Sequence, residues 1–74
     1  MQIPRDKQAQ IEHNFTYHPT RPGQAERFVQ IRDKAKELAL LIVALTPESR
    51  EQAISLTELE SSVFWVNAAI AREE

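Results

Sequence analysis

Between Phe28 and Ile70 the apolar residues fall into two runs that share one rhythm. Phe28, Ile31, Ala35, Leu38, Ile42 and Leu45 are spaced alternately by three and four, and Leu56, Leu59, Val63, Val66 and Ile70 repeat the spacing. Such spacing lays side chains along one stripe of an α-helix. The pattern predicts two amphipathic helices, over about residues 24–45 and 47–72, joined through Thr46-Pro47. A link this short forces neighbouring helices side by side and antiparallel, so the expected unit is a helical hairpin. Pro47 marks the boundary, because it lacks an amide hydrogen and disfavours helical geometry at the preceding residue. Thr46 is the expected cap of the second long helix, with Pro47 at its first position and Glu48 and Glu51 in its first turn. At the far end Glu73 and Glu74 oppose the negative helix terminus and are expected to fray.

Upstream the pattern weakens. Residues 4–14 suit a short helix, with Pro4 at its first position and Gln8, Ala9, Gln10 and Glu12 compatible with its interior. Its sizeable later anchors are Ile11 and Phe15, and a helix of about ten residues is unstable alone in water, so this arm is expected to dock. Pro19, Pro22 and Gly23 make residues 15–23 a bend, after which Thr20 or a neighbouring backbone turn caps the next helix. The expected architecture is one all-α domain over residues 1–74, an antiparallel helical hairpin with a short N-terminal helical arm.

Length and residue usage then change the picture in one respect. A chain of 74 residues buries only about 60% of its unfolded surface. With no cysteine and no metal-ligand cluster, the staples of small scaffolds are missing. Beyond the core stripe, one long helix adds Ala39, Leu40, Leu41, Val43 and Ala44, and the other adds Phe64, Trp65, Ala68 and Ala69. Helices apolar around most of their circumference are buried around most of it, so a homo-oligomer is expected, with the N-terminal arm as the alternative cover. Ala68, Ala69 and Ala71 would let backbones approach closely.

Charge removes some functions. The net charge is −2, but residues 1–37 hold seven Lys/Arg against five Asp/Glu, whereas residues 38–74 hold two against six. A net-acidic chain is poorly suited to coating duplex DNA, although its basic half can hold a small anion. The longest apolar run, Leu38–Leu45, has eight residues, far short of the roughly 20 that cross a bilayer. No secretory signal is visible and cytoplasm is the expected location. His13 and His18 are five apart with no cysteine or carboxylate set, so no metal site is expected. There is no glycine-rich phosphate loop and no nucleophile with a base and orienter, so neither cofactor nor catalysis is expected. Arg32 and Lys36, four apart, share a helix face, and the bend brings Tyr17, His18 and Arg21 toward the same end of the hairpin. Cations beside a planar ring suit a phosphorylated nucleobase, while a solvated basic face beside a core aromatic is the plain alternative. Trp65 is accounted for by packing in a core or interface.

Five stretches taken in order carry a resemblance: Phe15-Thr16-Tyr17-His18, Gln24-Ala25-Glu26-Arg27-Phe28, Ile31-Arg32-Asp33-Lys34-Ala35-Lys36-Glu37-Leu38-Ala39, Pro47-Glu48-Ser49-Arg50-Glu51 and Trp65-Val66-Asn67-Ala68-Ala69-Ile70-Ala71-Arg72. Together, over about residues 11–72, the chain resembles the small bacteriophage anti-CBASS cyclic-oligonucleotide sponges. That resemblance implies an all-helical homohexamer in the cytoplasm of the infected bacterial host. It implies binding of cyclic dinucleotides such as 3′,3′-cyclic GMP-AMP between protomers and of cyclic trinucleotides at separate sites, withholding both from the host's CBASS effector. Carried over residue by residue, Tyr17 matches the tyrosine that stacks on the dinucleotide and Arg32 best matches the basic residue on its phosphate, with Phe15, His18 and Lys36 completing the implied site. Arg72 matches the arginine of the trinucleotide site, which Lys34 joins. The expected function is a non-catalytic sponge. The alternative is a helical interaction module that binds a host protein through its apolar faces, and a hydrolase of the same nucleotides lacks a nucleophile or metal set.

Overall fold

In the computed structural model, which describes residues 2–74, the chain forms three helices: α1 (Arg5–Asn14), α2 (Gln24–Leu45) and α3 (Arg50–Glu73). No described residue is in a strand. Pro4 precedes α1 without a side-chain cap, and α1 ends where the Phe15 amide donates to the Ile11 carbonyl. α2 starts from Gly23, whose φ of +85° lies in the left-handed region that glycine enters without steric cost. The Gln24 amide closes that backbone turn on the Arg21 carbonyl at 3.1 Å.

The link between the long helices departs from expectation. Thr46 is extended, at φ −127° and ψ 154°, as a residue before proline should be. Its hydroxyl donates to the Ile42 carbonyl at 2.6 Å, finishing α2 rather than capping α3. Ser49 is the cap of α3, accepting from the Gln52 amide at 3.1 Å, and the Gln52 side chain donates back to Thr46 Oγ1 at 2.9 Å. α3 therefore begins at Arg50, later than the residue 47 that the proline signal suggested. With the Thr46 hydroxyl engaged in α2, the next hydroxyl with extended backbone takes the capping role.

The seam between α2 and α3 also differs from the strict three-four stripe. Phe28, Ile31, Ala35, Ala39 and Ile42 meet it from α2, and Leu56, Leu59, Val63, Asn67 and Ile70 from α3, each at least half-buried. Leu38, Leu45 and Val66 of the expected stripe are exposed. An α-helix has 3.6 residues per turn, so a stripe that averages 3.5 drifts by roughly 20° per heptad, and Ala39 and Asn67 rotate into the seam instead.

One seam leaves much uncovered. The chain measures 49 × 36 × 13 Å, its thinnest dimension comparable to one helix. Its radius of gyration of 16.7 Å exceeds the about 11 Å of a compact chain of this length. Its accessible surface of 6340 Å² likewise exceeds the about 4,700 Å² expected of a compact protein of its mass. Leu40, Leu41, Val43, Phe64 and Trp65 are exposed, and α1 does not cover them, since Ile3, Ile11 and Phe15 are exposed as well.

The fully buried positions lie at one end of the hairpin. Gln24 is 1% exposed and Ile70 is 9% exposed. The Gln24 side chain accepts from the Arg21 amide at 2.9 Å and donates to the Ile70 carbonyl at 3.0 Å and to Glu74 Oε1 at 3.1 Å. Arg27 donates to both Glu74 carboxylate oxygens, and the Arg21 guanidinium donates to the Glu74 backbone carbonyl. His13 Nε2 lies 3.0 Å from Glu73 Oε1 and ties α1 to the same end. Glu73 and Glu74 are thus held rather than frayed, because His13 of α1 meets Glu73 and the antiparallel hairpin sets Arg21, Arg27 and the positive end of α2 against Glu74.

Hydrogen bonds from Arg27 first, then Gln24, hold the Glu74 carboxyl down to about 2 from its ordinary 4.5. A carboxyl with a lowered folded pKa stabilises the fold fully above its ordinary value, and that stabilisation is lost as pH falls through the folded one. Thermal melts should therefore lose stability between pH 4.5 and about 2, and Glu74→Gln should flatten this slope; an identical slope in the variant would place the acid sensitivity elsewhere. Gln24→Leu strands the Arg21 amide and the Ile70 carbonyl and should cost about 2 kcal/mol or more in the same melts.

Candidate functional site

The hairpin carries a groove of about 440 Å³ along one side of its seam. Ala35 and Ala39 of α2, with Leu59 and Val63 of α3, form its floor; the two small side chains leave the space that larger ones would fill. Arg32 and Lys36 stand one turn apart on the α2 rim, and Glu60 and Phe64 one turn apart on the α3 rim. Among the described residues, the ion pairs are His13–Glu73, Arg27–Glu74 and Lys34–Glu37, so neither rim cation is engaged by a carboxylate. A groove with an apolar floor and two available cations suits a ligand that combines a flat apolar surface with an anion.

A second hollow of about 390 Å³ is lined by Thr20, Phe28, Arg32, Asn67, Ala68, Ala71 and Arg72. It places two guanidiniums, one from each long helix, on one cavity. Arg72 also sits in the last turn of α3, where a cation is favoured by the negative helix end whatever else it does. Asn67 Oδ1 is buried with no hydrogen-bond partner among the described residues, and a buried acceptor left unpaired costs about 1–3 kcal/mol. A third, smaller hollow of about 250 Å³ on α3 is lined by Ser61, Phe64, Trp65, Ala68 and Arg72.

The structure brings only some of the candidate residues together. Arg32 and Lys36 share the first groove, and Arg32 and Arg72 share the second hollow. Phe15 and Tyr17 are 87% and 84% exposed and line none of these hollows. His18 is turned inward: its Nε2–H donates to the His13 carbonyl at 2.8 Å and its ring meets the His13 ring edge-on at 4.8 Å. Arg21, expected beside Tyr17, is taken up by the Glu74 backbone carbonyl. Lys34 pairs with Glu37 at 3.3 Å, apart from Arg72. Glu60, Phe64 and Asn67 line the hollows without having been singled out for a site. Glu60 lies one turn from Phe64 on the expected face, and that spacing is the signal that could have found it.

No group of three His, Cys, Asp or Glu side chains converges among the described residues, and no described helix is long and apolar enough to cross a membrane. No curated protein and no solved structure matches the chain. A family model described as "Acb2/Tad1, hairpin domain" matches residues 7–71, a span that takes in Tyr17, both groove cations and the whole α2–α3 seam, and that stops one residue short of Arg72. A match over that much of the chain decides its kinship: the chain belongs to the Acb2/Tad1 hairpin family, the anti-CBASS sponge family that its sequence resembles, and this membership points to a nucleotide-binding role in phage anti-defence.

Proposed function

We propose that the chain is a non-catalytic sponge that sequesters cyclic di- and trinucleotide immune messengers in the cytoplasm of an infected bacterial host and so blocks CBASS signalling. The observation that carries this reading is the groove in which Arg32 and Lys36 stand unpaired above an apolar floor. Phosphates of a cyclic dinucleotide meet these two cations, and a base lies against the apolar wall. Tyr17 reaches the ligand from a second copy of the chain: it is exposed and apart from the groove of its own chain, so its stacking role requires the site to lie between protomers. Arg72, with Arg32 nearby, holds the phosphates of a cyclic trinucleotide in the second hollow. The assembly is a homohexamer. Surface in excess of a compact chain supports association with neighbours on two sides, since roughly 1,700 Å² is about two standard contacts at about 800 Å² per partner, and the number six comes from the family resemblance.

The exposed faces of Leu40, Leu41, Phe64 and Trp65 also favour a second reading, a module that docks on a host protein. Mass separates the two. Sedimentation at micromolar concentration should find one defined oligomer, and Leu41→Glu or Trp65→Glu should dissociate or unfold it, because an unpaired buried charge costs several kcal/mol. A stable monomer of 8.5 kDa would sink the intersubunit site and move the host-protein module ahead.

The site itself is tested by calorimetry on variants that keep the wild-type oligomer. Tyr17→Ala removes a stacking platform worth roughly 1–3 kcal/mol, so dinucleotide affinity should fall about tenfold to a hundredfold. Arg32→Ala removes a charge-assisted contact of roughly 1.5–3 kcal/mol and should lose a similar factor. Arg72→Ala should weaken trinucleotide binding and leave the dinucleotide nearly unchanged. Nucleotide released by denaturing the loaded protein should come back intact; recovery of a cleaved product would make the protein a hydrolase. Unchanged affinity in both Tyr17→Ala and Arg32→Ala would refute the assignment of the groove.

A further inference from the structure

The two rims of the groove are opposite in charge. Facing Arg32 and Lys36 across the alanine floor is Glu60, exposed, with Phe64 one turn further along α3. Among the described residues Glu60 has neither a hydrogen bond nor an ion-pair partner. On a site that binds phosphates, an unpaired carboxylate works against the cations, since it repels the ligand's own charge. Its presence there is explained if the ligand also brings hydrogen-bond donors to it, because an ionised carboxylate is an acceptor only, with two parallel oxygens.

The nucleobases differ in what they can offer such a group. Guanine presents two adjacent donors on its Watson–Crick edge, N1–H and the exocyclic N2–H, spaced to meet both carboxylate oxygens. Adenine sets the lone pair of N1 beside its exocyclic N–H, cytosine sets N3 beside its own, and uracil has a single N–H flanked by two carbonyls. Only guanine satisfies both oxygens without facing them with a lone pair. The Phe64 ring, 67% exposed and next to Glu60 on the same rim, supplies a face for that base.

We infer that Glu60 is the base-reading residue of the groove and that it selects guanine: phosphate lies on Arg32 and Lys36, the base lies against Phe64, and its N1–H and N2–H donate to the two Glu60 oxygens. The inference rests on the sponge reading of the groove and adds its specificity. Glu60 is a determinant of which cyclic dinucleotide is held, not of whether one is held.

The test is calorimetry of the full chain with 3′,3′-cyclic GMP-AMP and with cyclic di-AMP, two ligands that differ by one guanine. Wild type should prefer the guanine-containing ligand by about tenfold or more, the value of a charge-assisted pair of contacts. Glu60→Gln removes one negative charge, which raises the affinity of both anions by a common factor, so the readout is their ratio. That ratio should fall to about one or invert, because an amide offers a donor to adenine N1 and an acceptor to its N6–H. Glu58→Gln, at an exposed position on α3 that lines none of the hollows, should leave the ratio at the wild-type value. Equal binding of the two ligands by wild type, or a wild-type ratio in Glu60→Gln, overturns the Glu60 assignment while the sponge reading stands. A wild type that binds neither ligand overturns both.

Discussion

Two helices share one seam, and a seam covers one stripe on each. The uncovered apolar faces and the open groove of this molecule follow from that limit. α2 and α3 carry apolar residues well outside the stripe that faces the partner helix, and α1, with its own Ile11 and the following Phe15 exposed, adds no cover. The hydrophobic effect acts on all of this surface, and the proposed assembly rests on that uncovered area. The same limit shapes the groove. Because Ala35 and Ala39 stand where bulky residues would close the packing, the side of the seam stays open, and the cations on its rim remain available.

What the single chain does settle, it settles by polar contacts at one end. Gln24 is the most buried side chain, and it is amphoteric: its carbonyl takes the Arg21 amide while its amide gives to Ile70 and Glu74. Neither a carboxylate nor an ammonium could do both. Antiparallel packing brings the positive terminus of α2 to the negative terminus of α3, and Arg21 and Arg27 clasp Glu74 across that junction. The Arg27 and Glu74 side chains are partly exposed, so solvent screens their attraction and the clasp works mainly by geometry. Through Arg21, which lies in the bend, it also ties the residues before α2 to the end of α3.

The elements were legible in the sequence because proline, glycine and apolar period speak locally. α1 and α2 lie within a residue of the reading, and the helical hairpin follows from the short link. What was not legible depends on competition between groups that only the fold brings together. Thr46 and Ser49 are both sound caps on paper, and the Ile42 carbonyl decides between them by engaging the Thr46 hydroxyl. Glu73 and Glu74 are unfavourable from their own helix alone, because His13, Arg21 and Arg27, which hold them, lie far away in the sequence. In the groove, Arg32 and Lys36 could be paired from their spacing, whereas Glu60 and Phe64 belong to the other helix and their position opposite depends on the register of the hairpin. Tyr17 is the reverse case: closeness in sequence to the start of α2 suggested convergence with Arg32, and the bend carries it outward instead.

The central claim is that the nucleotide site is built by more than one chain, and stoichiometry tests it most directly. Titration of the wild-type protein with 3′,3′-cyclic GMP-AMP, with chain mass and assembly mass both known from sedimentation, yields the number of ligands held per chain. A site shared between protomers predicts that ligand is held only by the assembly, at no more than one dinucleotide per chain, and that the assembly does not dissociate on binding. Saturation at one per chain on a species of 8.5 kDa would contradict it.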